Sequence, residues 1–140
     1  MRTLHAIIIL LSFSSIVAAE YNKEIQLTPV LKTDTTSIGQ QLNYPDIAAD
    51  EVSIVKVTIP PGKETGWHKH RFPVFAYVMQ GNLTVEIDSA TARQFPEGTS
   101  FAEVINTFHN GKNTSLQNVV LIAFFIGEKG SQLSVKNEKK

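Results

Sequence analysis

From Glu51 to Ile59 the chain alternates apolar and polar residues, with Val52, Ile54 (then Val55), Val57 and Ile59 as the candidate core positions of a strand. Pro60-Pro61-Gly62 ends it. Trp67 to Met79 reads as the next extended run, closed by the turn signal Gln80-Gly81-Asn82. Leu83-Thr-Val-Glu-Ile87 then alternates strictly, as a half-buried strand does. Pro96-Glu97-Gly98 marks another turn, and Phe101–Phe108 and Asn118–Ile126 complete the strands, Gly127 stopping the last. Upstream, Glu24 to Lys32 suits a strand whose Pro29 belongs at a sheet edge. Thr33 to Asp50 is polar and reads as a long connection. No stretch of ten or more residues has helical amphipathicity with caps, so the expectation is an all-β sandwich or barrel.

The ends of the chain differ from this middle. Residues 1–19 run from a short basic start through an apolar stretch to Val17-Ala18-Ala19, followed by polar Glu20-Tyr21-Asn22. That order is expected of a secretory signal cleaved after Ala19, the apolar run being shorter than the ~20 residues of a spanning helix. A secreted or periplasmic protein with no membrane association after cleavage is therefore expected. The expected layout is a signal over 1–19, an N-terminal strand and connection over 20–50, a barrel core over 51–127 and a loose polar tail over 128–140.

Composition narrows the chemistry. Thirteen basic residues balance thirteen acidic ones, and loss of Arg2 with the signal leaves a formal charge of −1. No basic cluster exists to bind nucleic acid. The absence of cysteine removes disulfides, thiol nucleophiles and thiolate metal sites. A domain of ~120 residues can bury its own core, and a homodimer would stabilise it further. Asn82 and Asn113 stand in glycosylation sequons, a pattern too short to decide anything by itself.

Without the signal the chain has three histidines, His68, His70 and His109. On a helix, residues two apart point roughly 200° from each other. On a strand they share a face at ~6–7 Å, so the imidazoles of His68 and His70 can converge on one ion at ~2.1 Å. The pair makes metal sense only in extended chain.

The surrounding glycines give this a frame. Gly62, five residues, His68-Lys-His70 and then Gly81 resemble the first motif of the cupin superfamily; Gly98, His109 and Asn113 resemble the second. Sixteen residues separate Gly81 from Gly98, as in compact bacterial cupins. The resemblance covers Gly62 to Asn113 and implies a single-domain cupin, a double-stranded β-helix or jelly-roll barrel. It also implies one divalent metal ion (Fe, Mn or Zn) on His68, His70 and His109.

The same resemblance implies a glutamate ligand where Val74 stands, and a proline and glycine where Val104 and Asn106 stand. Glu103, six residues before His109 and on its face by strand parity, is a substitute as fourth ligand or general base; Gln80 and Tyr77 are others. Three neutral imidazoles with water are also chemically sufficient. At the ordinary imidazole pKa of ~6.5, metal loss is expected below about pH 6. Trp67, Phe72, Phe75, Tyr77, Phe101 and Phe108 would line a barrel mouth or pack between subunits. The functional expectation is a metal-dependent, dioxygenase-like enzyme acting on a small organic substrate, with a non-catalytic metal- or small-molecule-binding barrel as the alternative.

Overall fold

A computed structural model describes residues 28–44, 50–88 and 90–138. The expected signal and positions 24–27 of the expected first strand, Glu24 to Lys32, lie outside the described residues; positions 28–32 form no strand. The described residues form nine strands: β1 (Glu51–Ile59), β2 (His68–Lys69), β3 (Val74–Gln80), β4 (Asn82–Ile87), β5 (Ala90–Pro96), β6 (Ser100–Ala102), β7 (His109–Lys112), β8 (Val119–Gly127) and β9 (Val135–Lys136). They build one sheet in the order β1-β8-β3-β6 and another in the order β5-β4-β7-β2-β9, with every pairing antiparallel. The architecture is all-β, as the strand pattern predicts, and is the single-domain jelly-roll barrel that the motif resemblance implies. Among the described residues no helix is long and apolar enough to cross a membrane.

The two sheets face each other across an aliphatic core. Ala76 and Val78 of β3, Leu83, Val85 and Ile87 of β4, Val119 and Leu121 of β8, and Phe101 of β6 are all buried there. Phe101 stacks on Phe95 with ring centroids 3.8 Å apart, which adds Phe95 of β5 to the edge of this core. Burying a phenylalanine side chain of this kind stabilises the fold by about 1.5–3 kcal/mol.

Two strands depart from the predicted pattern in face or continuity. In β1 the odd positions point inward; Val52 and Ile54 are exposed at 61% and 62%. The adjacent apolar residues Ile54-Val55 break the alternation, and pairing with β8 (Ile54↔Phe124, Val57↔Leu121) selects the phase that buries Ile59 and turns the half-buried Val55 and Val57 inward. The run from Trp67 to Met79 divides at Pro73, which lacks an N–H. β2 therefore stays in the five-stranded sheet while β3 crosses to the other.

The run Phe101–Phe108 also divides, since β6 ends at Ala102 and β7 begins at His109. Asn106 turns the intervening loop with φ +48°, a left-handed conformation that asparagine tolerates. That is the position where the cupin pattern expects glycine, so the conformation is kept by a different residue. β5 carries no apolar alternation beyond Phe95 because its residues are otherwise exposed.

The segment after Gly127, expected as a loose tail, returns to the barrel. Val135 and Lys136 pair with Lys69 and His68, and the Asn137 amide donates to the Trp67 carbonyl at 2.9 Å. Backbone pairing, which leaves no mark in side-chain pattern, holds a segment whose residues are mostly polar.

Asn113 closes the other end of β7. It is 1% exposed; its Nδ2 donates to the carbonyls of Ile59 (2.8 Å) and Gln117 (2.6 Å), and its Oδ1 accepts from the Ser115 amide and hydroxyl. A side chain so enclosed is a clamp between β1 and β7, not a glycan acceptor.

Candidate metal centre

His68 lies in β2 directly opposite His109, the first residue of β7. Cross-strand partners point to the same face, so the register alone brings these two imidazoles together, with ring centroids 4.4 Å apart. His70, two residues beyond His68, adds the third ring at 5.0 and 5.1 Å from the others. The ligand atoms of the three residues all lie within 4.8 Å of one another, so this trio could hold one metal ion. His70 and His109 are 5% and 2% exposed.

Each ring is aimed by the same device. The Nδ1 atoms of His68, His70 and His109 lie 2.8, 2.7 and 3.0 Å from the carbonyl oxygens of Gly66, Leu133 and Thr107. A carbonyl only accepts, so each Nδ1 carries the proton and each Nε2 is left with a free lone pair. This is the arrangement in which a histidine ligates a metal with its outer nitrogen held. His109 Nε2 is buried without a hydrogen-bond partner. A polar atom sealed in this way fits a site built for an ion.

The rings open on a cavity of about 70 Å³, lined otherwise by Thr65, Glu103 and aliphatic side chains from both sheets, with Phe125 edge-on to His70 at 5.5 Å. Thr65 was not legible as a site residue, since nothing distinguishes it from other loop threonines in sequence. Its hydroxyl accepts from the Gly111 amide at 2.9 Å and places it on the cavity wall.

The sequence candidates for a fourth group separate cleanly. Tyr77 pairs with Ile122 and Ser100 on the outward phase of β3, and Gln80 is exposed at its end, so neither faces the cavity. Glu103 does. Its Oε2 is wholly buried, lacks a hydrogen-bond partner and lies 3.6 Å from His109 Nε2. The two residues meet across the barrel, not along one strand, because the loop between β6 and β7 interrupts the parity that first linked them. Val74 occupies the neighbouring wall and is 3% exposed.

Burial governs the electrostatics. It pushes the Glu103 carboxyl up to about 7, opposed by the charge of a protonated His68. It lowers His70 to about 4, against the raising effect of the Leu133 carbonyl, and lowers His68 and His109 as well. The imidazoles are thus kept neutral at lower pH than the ordinary value implies, which corrects the expected onset of proton competition near pH 6.

The family model of the cupin domain matches residues 55–125, just over half of the chain. The chain belongs to the cupin family. The matched span holds all three histidines and Glu103 and ends before β9. Solved structures share the fold: a DMSP lyase from Ruegeria pomeroyi (TM-score 0.56, 13% identity, covering 64% of this chain and 44% of that one). A Bacillus halodurans protein gives 0.53 at 18% identity, covering 62% and 70%. An oxalate oxidase holding the substrate analogue glycolate gives 0.52 at 25% identity, covering 60% and 45%. The cupin spans less than half the length of the lyase and of the oxidase. No curated protein matches its sequence.

Two outcomes follow for the metal-free protein. Each of the three histidines takes up a proton less readily in the folded chain than in the unfolded one, down to about pH 4 for His70, so stability falls as pH falls below about 6.5. Glu103 acts oppositely, being protonated in the folded state up to about 7, and offsets only part of the effect. Denaturant midpoints at pH 4.5 and 6.5 should show the higher stability at 6.5; equal midpoints would contradict the burial argument. Truncation after Gly127 removes the Leu133 carbonyl from His70 and should weaken Zn²⁺ binding roughly 10–100-fold, read by chelator competition.

Proposed function

We propose that this cupin is an exported metalloprotein in which His68, His70 and His109 hold one divalent first-row ion. In this reading it acts on a small organic molecule in the adjoining cavity, as a dioxygenase-like oxidoreductase. The observation that carries the proposal is the convergence of three Nδ1-anchored imidazoles on an apolar cavity. Three histidine nitrogens leave coordination positions for a substrate, and carbonyl-anchored imidazoles suit Fe, Mn or Zn alike. Once bound, such an ion supplies a Lewis acid and, in the case of iron or manganese, redox chemistry.

The residues of the chain do the rest. The aliphatic wall and Phe125 exclude water, Thr65 offers a hydroxyl at the rim, and Glu103 places one carboxylate beside the reacting space. A cavity of about 70 Å³ is far below the ~300–1,000 Å³ of drug-sized sites and suits a molecule of a few heavy atoms. The similar oxalate oxidase holds a molecule of that size, glycolate. A non-catalytic binding barrel is the second reading, favoured by Val74 at the position of the expected glutamate.

The test starts from the full chain expressed in an exporting host and recovered without an affinity tag. The expected product begins at Glu20 by intact mass and carries about one equivalent of Fe, Mn or Zn, which His68→Ala or His109→Ala abolishes. Retention of the first nineteen residues would overturn export, and metal content unchanged in both variants would overturn the site. Oxygen uptake with small carboxylic or hydroxy acids separates the oxidoreductase from the binding barrel, which would bind without turnover.

The outer face of the β1-β8-β3 sheet supports the further proposal of a homodimer. Val52, Ile54 and Phe124 are exposed there at 61%, 62% and 38%, and Phe75 and Tyr77 continue the patch through the pairs Phe75↔Phe124 and Tyr77↔Ile122. An apolar sheet face of this kind suits an interface, and a second copy would offer the matching surface. Sedimentation velocity should give a dimer that Ile54→Lys converts to monomer; a monomeric wild type at ~100 µM would overturn it.

A further inference from the structure

The pairing of β3 with β6 runs one residue beyond β6 itself. Phe75 faces Ala102 and Ala76 faces Phe101, so the next opposed pair is Val74 and Glu103, and the Glu103 amide donates to the Val74 carbonyl at 2.9 Å. In an antiparallel pair opposed residues share a face. Ala76 and Phe101 point into the core, and two steps in phase from them so do Val74 and Glu103, both of which line the cavity. Position 103 therefore offers the cavity a side chain from almost the same place on the wall as position 74, carried by the neighbouring strand.

What stands at position 103 is a carboxylate with nothing to pair with. No lysine or arginine lines the cavity, and no other acidic residue does among the described residues. Oε2 of Glu103 and Nε2 of His109 are each sealed from solvent without a hydrogen-bond partner, yet they lie only 3.6 Å apart. That is too long for a good hydrogen bond. It is close to the roughly 3–3.4 Å that separates two atoms each ~2.0–2.1 Å from one ion. Burying a carboxylate without a compensating cation is costly, and the neutral imidazoles supply none. Glu103 lies outside the trio whose ligand atoms are all within 4.8 Å, so its carboxylate reaches the centre from the His109 side.

We propose that Glu103 is the fourth protein ligand of the centre, a carboxylate delivered from across the strand pair in place of one at position 74. The proposal rests on the metal-binding reading above and deepens it, making the ligand set three imidazoles and one carboxylate. Val74 is then the complement of Glu103: an apolar side chain at 74 leaves the space and removes the like charge that a second, directly opposed carboxylate would bring.

The test is titration of the metal-free cupin with Co²⁺ and Zn²⁺ by chelator competition, with the visible spectrum of the Co²⁺ form as a second readout. Wild type is compared with Glu103→Gln, Glu103→Val, His109→Ala and the exchange Val74→Glu/Glu103→Val. Removing the carboxylate should weaken both metals by more than about 100-fold and change the Co²⁺ spectrum. The exchange should regain affinity to within about tenfold of wild type. Because it deletes a buried polar group that has no hydrogen-bond partner, Glu103→Val should also raise the melting temperature of the metal-free protein, which keeps the comparison one between folded proteins. Unchanged affinity and spectrum in both single variants, with binding lost in His109→Ala, would overturn the role of Glu103 and leave the three-histidine site standing. A folded exchange variant no tighter than Glu103→Val would overturn the equivalence of positions 74 and 103. Wild type that binds neither metal would instead remove the metal reading itself.

Discussion

The centre depends on three hydrogen bonds from imidazole Nδ1–H groups to backbone carbonyls, at Gly66, Leu133 and Thr107. Each fixes a tautomer and a ring plane together, so three flexible side chains become three lone pairs aimed at one volume. None of the acceptors is a side chain. Their positions are set by the course of the backbone through the turn before β2, the loop before β7 and the segment leading into β9. The barrel is in this sense the orienting framework of the site, and its sheet pairings are what hold the three carbonyls in place.

That dependence explains what was legible in the sequence. His68 and His70 can be placed on one face from a spacing of two, and the Gly62–Gly81 and Gly98–Asn113 frames indicate the barrel that brings His109 opposite them. The strand pattern of β1, β4 and β8 follows from apolar runs bounded by Pro and Gly. By contrast, the phase of β1 was ambiguous because Ile54 and Val55 are consecutive, and only the partner strand decides which is buried. β9 left no pattern, since it is held through backbone groups every residue possesses. The role of Leu133 is carried by its carbonyl, so its identity gives no signal.

Glu103 was reached through strand parity, and its nearness to His109 has another cause. Parity holds within one strand, whereas residues 103 and 109 belong to opposite sheets joined by the loop that Asn106 turns. The relevant register is the one across to β3, where Glu103 faces Val74. A pattern read along the chain cannot reveal a pairing between strands whose offset depends on an intervening turn.

The same register gives a physical account of how a barrel can tolerate change at a ligand position. Two opposed residues on one face of an antiparallel pair reach nearly the same point in space, so a function carried at one can be carried at the other without moving the backbone. The constraint is that both cannot be charged alike at once in a cavity with no lysine or arginine. Valine at 74 with glutamate at 103 satisfies it, and the aliphatic side chain keeps that part of the wall dry where a metal-bound molecule would lie. The place of the carboxylate is therefore a property of the strand pair, not of either strand's motif alone. A centre of this kind is judged by what faces the cavity, and here that is three imidazoles and one buried carboxylate.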